Sequence, residues 1–134
     1  SHEGGHTLLV GSLAAYMPAP LMAAYGASKA YVLSLGEALH VELAPEVGVT
    51  VLSPGYMETG FDDASGFQPN AATKSTALPP STVAQIGLDA LFAGKASVVA
   101  GNANKVAALL GRILPRTFMA RQLYKSAGKR YHER

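Results

Sequence analysis

Three short runs constrain this chain more than anything else in it: residues 7–10, 49–52 and 97–100. Each is apolar along nearly its whole length and shows no polar alternation. Strands of that kind need cover on both faces, which is the condition of a parallel sheet. The stretches between them carry the other half of the pattern. Over residues 23–44, Val32, Leu35, Leu39 and Leu43 recur at three- and four-residue spacing and form an apolar helical stripe. Pro45 and Gly48 close that segment. Ser81 is placed as the N-cap of a second helix carrying Val83, Ile86, Leu88, Leu91 and Phe92, ending near Gly94. Strand, helix, strand, helix, strand is the βαβ order of an α/β fold.

The connections divide into two kinds. Residues 13–22 contain Pro18 and Pro20 and are expected to form a loop. Residues 56–80 contain Gly60, Gly66, Pro69, Pro79 and Pro80 and are expected to form a long excursion, of a length that in compact domains usually serves a site. Right-handed crossovers in one strand direction put consecutive helices on the same side of a sheet. One face of a three-stranded sheet would then lie poorly covered, which points to missing structure.

Composition narrows the class. With 134 residues, 49% of them apolar and only 15% charged, the chain can bury a core and does not resemble a disordered one. It has no cysteine, which excludes a disulfide framework and a thiolate metal site and fits a reducing, cytoplasmic setting. No apolar run approaches the roughly 20 residues that span a bilayer. The net charge of +2 conceals an asymmetry. Residues 1–104 hold three basic and eight acidic side chains, whereas residues 105–134 hold eight basic and one acidic. The chain therefore divides into a body, residues 1–101, and a basic amphipathic helical tail, residues 102–134.

Ser12, Tyr25 and Lys29 stand out by type and position. Tyr25 and Lys29 are four apart at the start of a helix, so they share one face a turn apart. An ammonium beside a phenol favours the phenolate and draws its pKa down from about 10. Such a tyrosine can give a proton to a carbonyl oxygen or take one from an alcohol. Ser12 follows the first strand, where ligands of open α/β sheets bind, and its hydroxyl can reach the same oxygen. By spacing alone a tyrosine-lysine pair is commonplace and usually solvated. Here it has company: small residues around it in Tyr25-Gly26-Ala27-Ser28-Lys29, a second strand ending in Pro54-Gly55, and Thr59 beyond.

In order and spacing this assembly resembles the short-chain dehydrogenase/reductase family over residues 5–101. The resemblance implies a Rossmann-type, doubly wound parallel sheet, here partial: three strands with flanking helices and the N-terminal strands missing. It also implies a nicotinamide cofactor, NAD or NADP, and a small carbonyl or secondary-alcohol substrate. Carried over residue by residue, Ser12 orients and polarises the substrate carbonyl and Tyr25 is the general acid/base. Lys29 tunes the tyrosine and binds the nicotinamide ribose. Pro54, Gly55, Met57 and Thr59 line the nicotinamide pocket together with Tyr25 and Lys29, and residues 58–80 form a substrate lid. Leu13, Tyr16 and Tyr56 are placed against the substrate.

The family's glycine-rich pyrophosphate turn, its Asn-Asn-Ala-Gly stretch and its asparagine before the serine strand have no counterpart here. The chain is thus expected to be a C-terminal catalytic half. By itself it should be inactive, because dinucleotide affinity rests on the glycine turn and the helix N-terminus behind it. Homo-oligomerisation is expected as well. A non-enzymatic remnant that self-associates through its sheet edge and bare face is the alternative.

Other signals carry less. His2-Glu3-Gly4-Gly5-His6 has the letters of a zinc-protease motif, but that motif needs a helix and two glycines oppose one. No metal site is expected. His40 and His132 are read as structural or solvated. In the tail, Asn102 or Asn104 is placed as the cap of a helix with Val106, Leu109, Leu110, Ile113 and Leu114, interrupted by Pro115. A second segment carries Phe118, Met119, Leu123 and Tyr124 among basic residues. Leu114-Pro115-Arg116 resembles the end of a bacterial-type branch of the same family. The tail's apolar side is expected to cover core or a partner subunit, with weak contact to an anionic membrane surface as the alternative. Nucleic-acid binding is not expected, since no reading motif accompanies the basic residues.

Overall fold

The computed structural model describes residues 4–60, 64 and 69–131. Three strands form one parallel sheet in the order β1-β2-β3: β1 (Gly5–Val10), β2 (Val47–Ser53) and β3 (Ser97–Val99). β1 pairs with β2 from Gly5 opposite Val47 to Val10 opposite Leu52, and β2 pairs with β3 from Val51 opposite Ser97 to Ser53 opposite Val99. The sheet is thus an α/β, Rossmann-like one, and β1 and β2 run two or more residues beyond their apolar cores.

The central strand carries the core. Val49, Thr50, Val51, Leu52 and Ser53 are all buried. Successive side chains point to opposite faces, and each face has its own helix. On one side Leu9 and Val51 meet Leu33 of α1 (Ala23–Glu42). On the other, Leu8, Leu52 and Val98 meet Val83 and Ile86 of α3 (Pro80–Phe92). Glycines set both contacts: a β-carbon at Gly36 of α1 would overlap Val51, and one at Gly87 of α3 would lie 2.8 Å from Leu52.

This corrects the expectation of a bare face. The strands step across the sheet in one direction while their helices lie on opposite sides, so the two crossovers have opposite hands. The rule of right-handed crossovers therefore fails at one of them. The chain between β2 and α3 is long enough to carry the helix to the far face.

The helix stripes differ in detail from their sequence pattern. α1 buries Gly26, Leu33 and Gly36, whereas Leu35 and Leu43 are exposed and Val32 and Leu39 are only half-buried. Close approach to the sheet selects the face with the smallest residues rather than the largest. The N-cap of α3 falls two residues before the expected Ser81: Pro79 holds it, and Pro80 is the first helical residue. A proline there has no N–H to satisfy and a preset φ, so no hydroxyl cap is needed. Its exit runs through Gly94 at φ +69°, a left-handed stop.

Within residues 13–22 the chain makes a 3-10 turn, Leu13–Tyr16, and within residues 56–80 a short helix, α2 (Ala71–Ser75), capped by Asn70, whose Oδ1 accepts from the Thr73 N–H at 2.7 Å. Two helices close the chain: α4 (Asn102–Ile113) and α5 (Arg116–Tyr131), separated at Pro115 as its ring demands. Neither asparagine caps α4. Gly101, at φ +94°, holds the cap position, and the Asn104 side chain turns back to donate to the Ala100 carbonyl at 2.8 Å. Among the described residues no helix is long and apolar enough to cross a membrane.

Candidate active site

The cavity that matters opens at the C-terminal ends of β1 and β2, where parallel strands leave their last peptide groups facing a crevice. Two backbone hydrogen bonds lace those ends together. The Gly11 N–H donates to the Leu52 carbonyl at 2.7 Å, and the Leu13 N–H to the Pro54 carbonyl at 2.9 Å. Ser12 is held between them in extended conformation and begins the 3-10 turn. Its Oγ accepts from the Ala14 N–H at 3.1 Å. A hydroxyl engaged as acceptor keeps its own proton for another oxygen.

Tyr25 and Lys29 come from the first two turns of α1, and both are half-buried. The chain enters that helix through Leu21 at φ +68° and a turn in which the Met22 N–H bonds the Ala19 carbonyl at 3.0 Å. A left-handed leucine is uncommon, and here it reverses the chain just ahead of Tyr25. Lys29 reaches back across the strand end. Its Nζ donates to the Val10 carbonyl at 3.1 Å and lies 5.7 Å from the centre of the Tyr25 ring. An ammonium has three N–H groups, so this bond fixes its place and leaves two to face the cavity.

The opposite wall is the turn after β2. Pro54, Gly55, Tyr56, Met57 and Thr59 line the cavity, which measures about 440 Å³ and includes Ser12, Leu13, Tyr25 and Lys29. Its size falls in the range of small-molecule sites. Gly55 leaves room for the packing behind the turn: a β-carbon there would overlap the side chain of Asn104, which is itself buried at 7% exposure.

Every residue expected in the site from sequence lines this cavity except Tyr16. That ring is buried at 6% exposure among Leu33, Val51 and Ala108, with the Arg112 guanidinium 5.0 Å above it. The small face of α4 leaves room for it, so it packs into the core instead of the crevice. Conversely, Met22, Ala19 and Thr73 line the cavity. Thr73 lies in α2, and nothing in its local sequence marks it; only the return of the excursion across the strand ends brings it there. Asn104 is a further residue that sequence reasoning misplaced. A polar residue near a helix start looks like a cap, and only the tertiary contact reveals it as the support of Gly55.

His6 stands in β1 with its ring 5.4 Å from that of Phe92, while His2 and Glu3 lie outside the described residues, as does His132. Among the described residues no group of histidine and carboxylate side chains is arranged for a metal. His40 Nδ1 lies 2.8 Å from the Val49 carbonyl, a structural contact between α1 and β2.

Known proteins sharpen the picture. A model of the short chain dehydrogenase family matches residues 1–69. The 11-beta-hydroxysteroid dehydrogenase A of Arachis hypogaea is 42% identical over 55 residues, which are 41% of this chain and 16% of that protein. The fold aligns with a solved 7beta-hydroxysteroid dehydrogenase at a TM-score of 0.72 and 24% identity, over 88% of this chain and 47% of the other. It also aligns with a short chain dehydrogenase from Burkholderia cenocepacia J2315, solved in complex with NADP, at 0.68 and 26% identity, over 92% of this chain and 48% of the other. The chain thus spans less than half the length of these solved structures. The family match runs through β1, α1 and β2, the elements that build the cavity, and on that ground the chain belongs to the short chain dehydrogenase family.

Proposed function

We propose that the protein containing this chain is a nicotinamide-dependent oxidoreductase acting on a carbonyl/secondary-alcohol pair, and that Ser12, Tyr25 and Lys29 carry the proton chemistry. The supporting observation is their convergence on one cavity, from two different elements, opposite the Pro54-Gly55 turn.

The residues fit the nicotinamide end of a dinucleotide. Lys29 keeps two N–H groups for ribose hydroxyls after binding the Val10 carbonyl. Leu13, Pro54 and Met57 offer an apolar wall to a flat ring. When bound, the cofactor would give a hydride to the carbonyl carbon as NADH or NADPH in reduction and take one from the alcohol carbon as its oxidised form in oxidation, and that chemistry is the cofactor's own. The chain does the rest. The Ser12 hydroxyl, which accepts from the Ala14 N–H, donates a hydrogen bond to the substrate oxygen and fixes its position. Tyr25 delivers a proton to that oxygen in reduction and accepts one in oxidation. Lys29, tethered at Val10, keeps a positive charge beside the phenol ring. Thr73 of α2 adds a hydroxyl to the cavity lining on the side of the excursion.

The test is turnover of the natural protein that contains residues 1–134, with NADH or NADPH and a panel of ketones. Tyr25→Phe should lower kcat by about 10²-fold or more, in line with loss of a general acid/base, with cofactor Kd unchanged. Undiminished turnover in that variant would remove the tyrosine from its role.

A further inference from the structure

α4 is built the wrong way round for a helix that covers its own protein. Its inward face is small and polar: Asn104, Ala108 and Gly111 are the buried residues, and a β-carbon at Gly111 would lie 2.5 Å from the Tyr16 carbonyl oxygen. Its large apolar residues point the other way. Val106, Leu109, Leu110 and Ile113 follow the i, i+3, i+4, i+7 pattern of a single stripe, and they are 59%, 56%, 45% and 67% exposed. A contiguous outward stripe of this kind marks an interaction surface.

Charge selects the occupant. Lys105 and Arg112 flank the stripe, and α5 follows with Arg116, Arg121 and Lys125 beside the exposed rings of Phe118 and Tyr124. No acidic residue occurs between 102 and 132. Two copies of such a surface facing each other about a twofold axis would set like charges opposite one another. An anionic bilayer answers both features, taking apolar side chains below its headgroups and cations among them.

A second observation lies at the stripe's edge. A separate cavity of about 350 Å³ is lined by Lys95, Lys105 and Arg112, with Leu109 on its wall; the Ser97 hydroxyl, also on its lining, donates to Glu37 Oε1 at 3.0 Å. Among the described residues Lys95 and Lys105 have no carboxylate partner, and Arg112 reaches Glu37 only at 3.7 Å. Cations walled by an apolar side chain suit a phosphate group whose lipid tails continue along the stripe.

We propose that α4 and α5 form a docking surface for anionic phospholipid, with the α4 stripe entering the headgroup boundary and the cation-lined cavity receiving a lipid phosphate. The proposal does not depend on the oxidoreductase reading, and its test does not read turnover.

The experiment is co-sedimentation of the natural protein that contains residues 1–134 with vesicles of phosphatidylcholine alone, and of phosphatidylcholine and phosphatidylglycerol in equal parts. At least tenfold stronger binding to the anionic vesicles is expected, weakening as salt rises from about 0.1 to about 0.5 M. Leu109→Ser with Ile113→Ser changes only exposed side chains. It should reduce anionic-vesicle binding at least tenfold while leaving the circular dichroism spectrum intact. A separate Lys95→Glu and Lys105→Glu variant should lose the preference for anionic over neutral vesicles. Equal binding to both compositions, or none, overturns the proposal. So does a stable dimer by analytical ultracentrifugation that the serine variant dissociates, because a second copy would then cover the stripe.

Discussion

α1 and α4 are both helices that turn small residues inward, yet they do so to opposite effect. α1 brings Gly26 and Gly36 against the body and wedges Leu33 between them, so that Val51 of the sheet enters the space a side chain would fill. α4 brings Ala108 and Gly111 against the 3-10 turn and leaves its apolar stripe in solvent. The difference lies in what each helix faces. α1 lies on a sheet whose own valines and leucines supply the bulk, whereas α4 lies on the backbone and ring of Tyr16, which already fill the space beneath it and admit only alanine and glycine. Apolar periodicity therefore reports that a helix has two faces; the packing partner decides which one turns inward.

The sharpest way to break this comparison is at Leu33. Leu33→Ala removes the one large side chain that α1 buries and should cost about 2–5 kcal/mol by chemical denaturation. A loss under about 1 kcal/mol would mean that α1 is held elsewhere. Next comes Gly36→Ala. Its new methyl would overlap Val51, and the expected loss is about 1–3 kcal/mol, read as a lowered denaturant midpoint at constant m. A stabilised variant would show that the helix stands off from the sheet. The smallest effect belongs to α4: Ile113→Ser should change stability by no more than about 0.5 kcal/mol in the absence of lipid. A loss matching that at Leu33 would place Ile113 in a core and end the contrast between the two helices.

Much of the fold was legible. The three strands were readable because their apolar runs do not alternate, and α3 and the two tail helices because their patterns are bounded by Gly94 and Pro115. That Ser12, Tyr25, Lys29 and the Pro54 to Thr59 turn would line one cavity was implied by the family resemblance, which their order and spacing along the chain carry. Tyr16 was misplaced, since no local rule tells whether a residue after a strand turns toward the crevice or the core. Thr73 and Asn104 were missed for a related reason: each reaches the site across a gap in sequence that no short-range pattern spans.

Taken by itself, the order of residues determined the three strands, the long helices between and after them and the candidate chemical groups, because strand and helix preferences act over a few neighbours, whereas every expected cap was displaced. Tertiary structure alone decided the opposite hands of the two crossovers, the inward face of each helix, and the support of Gly55 by Asn104. Those depend on which surfaces meet at van der Waals distance, and close packing between distant segments is a property of the whole folded chain.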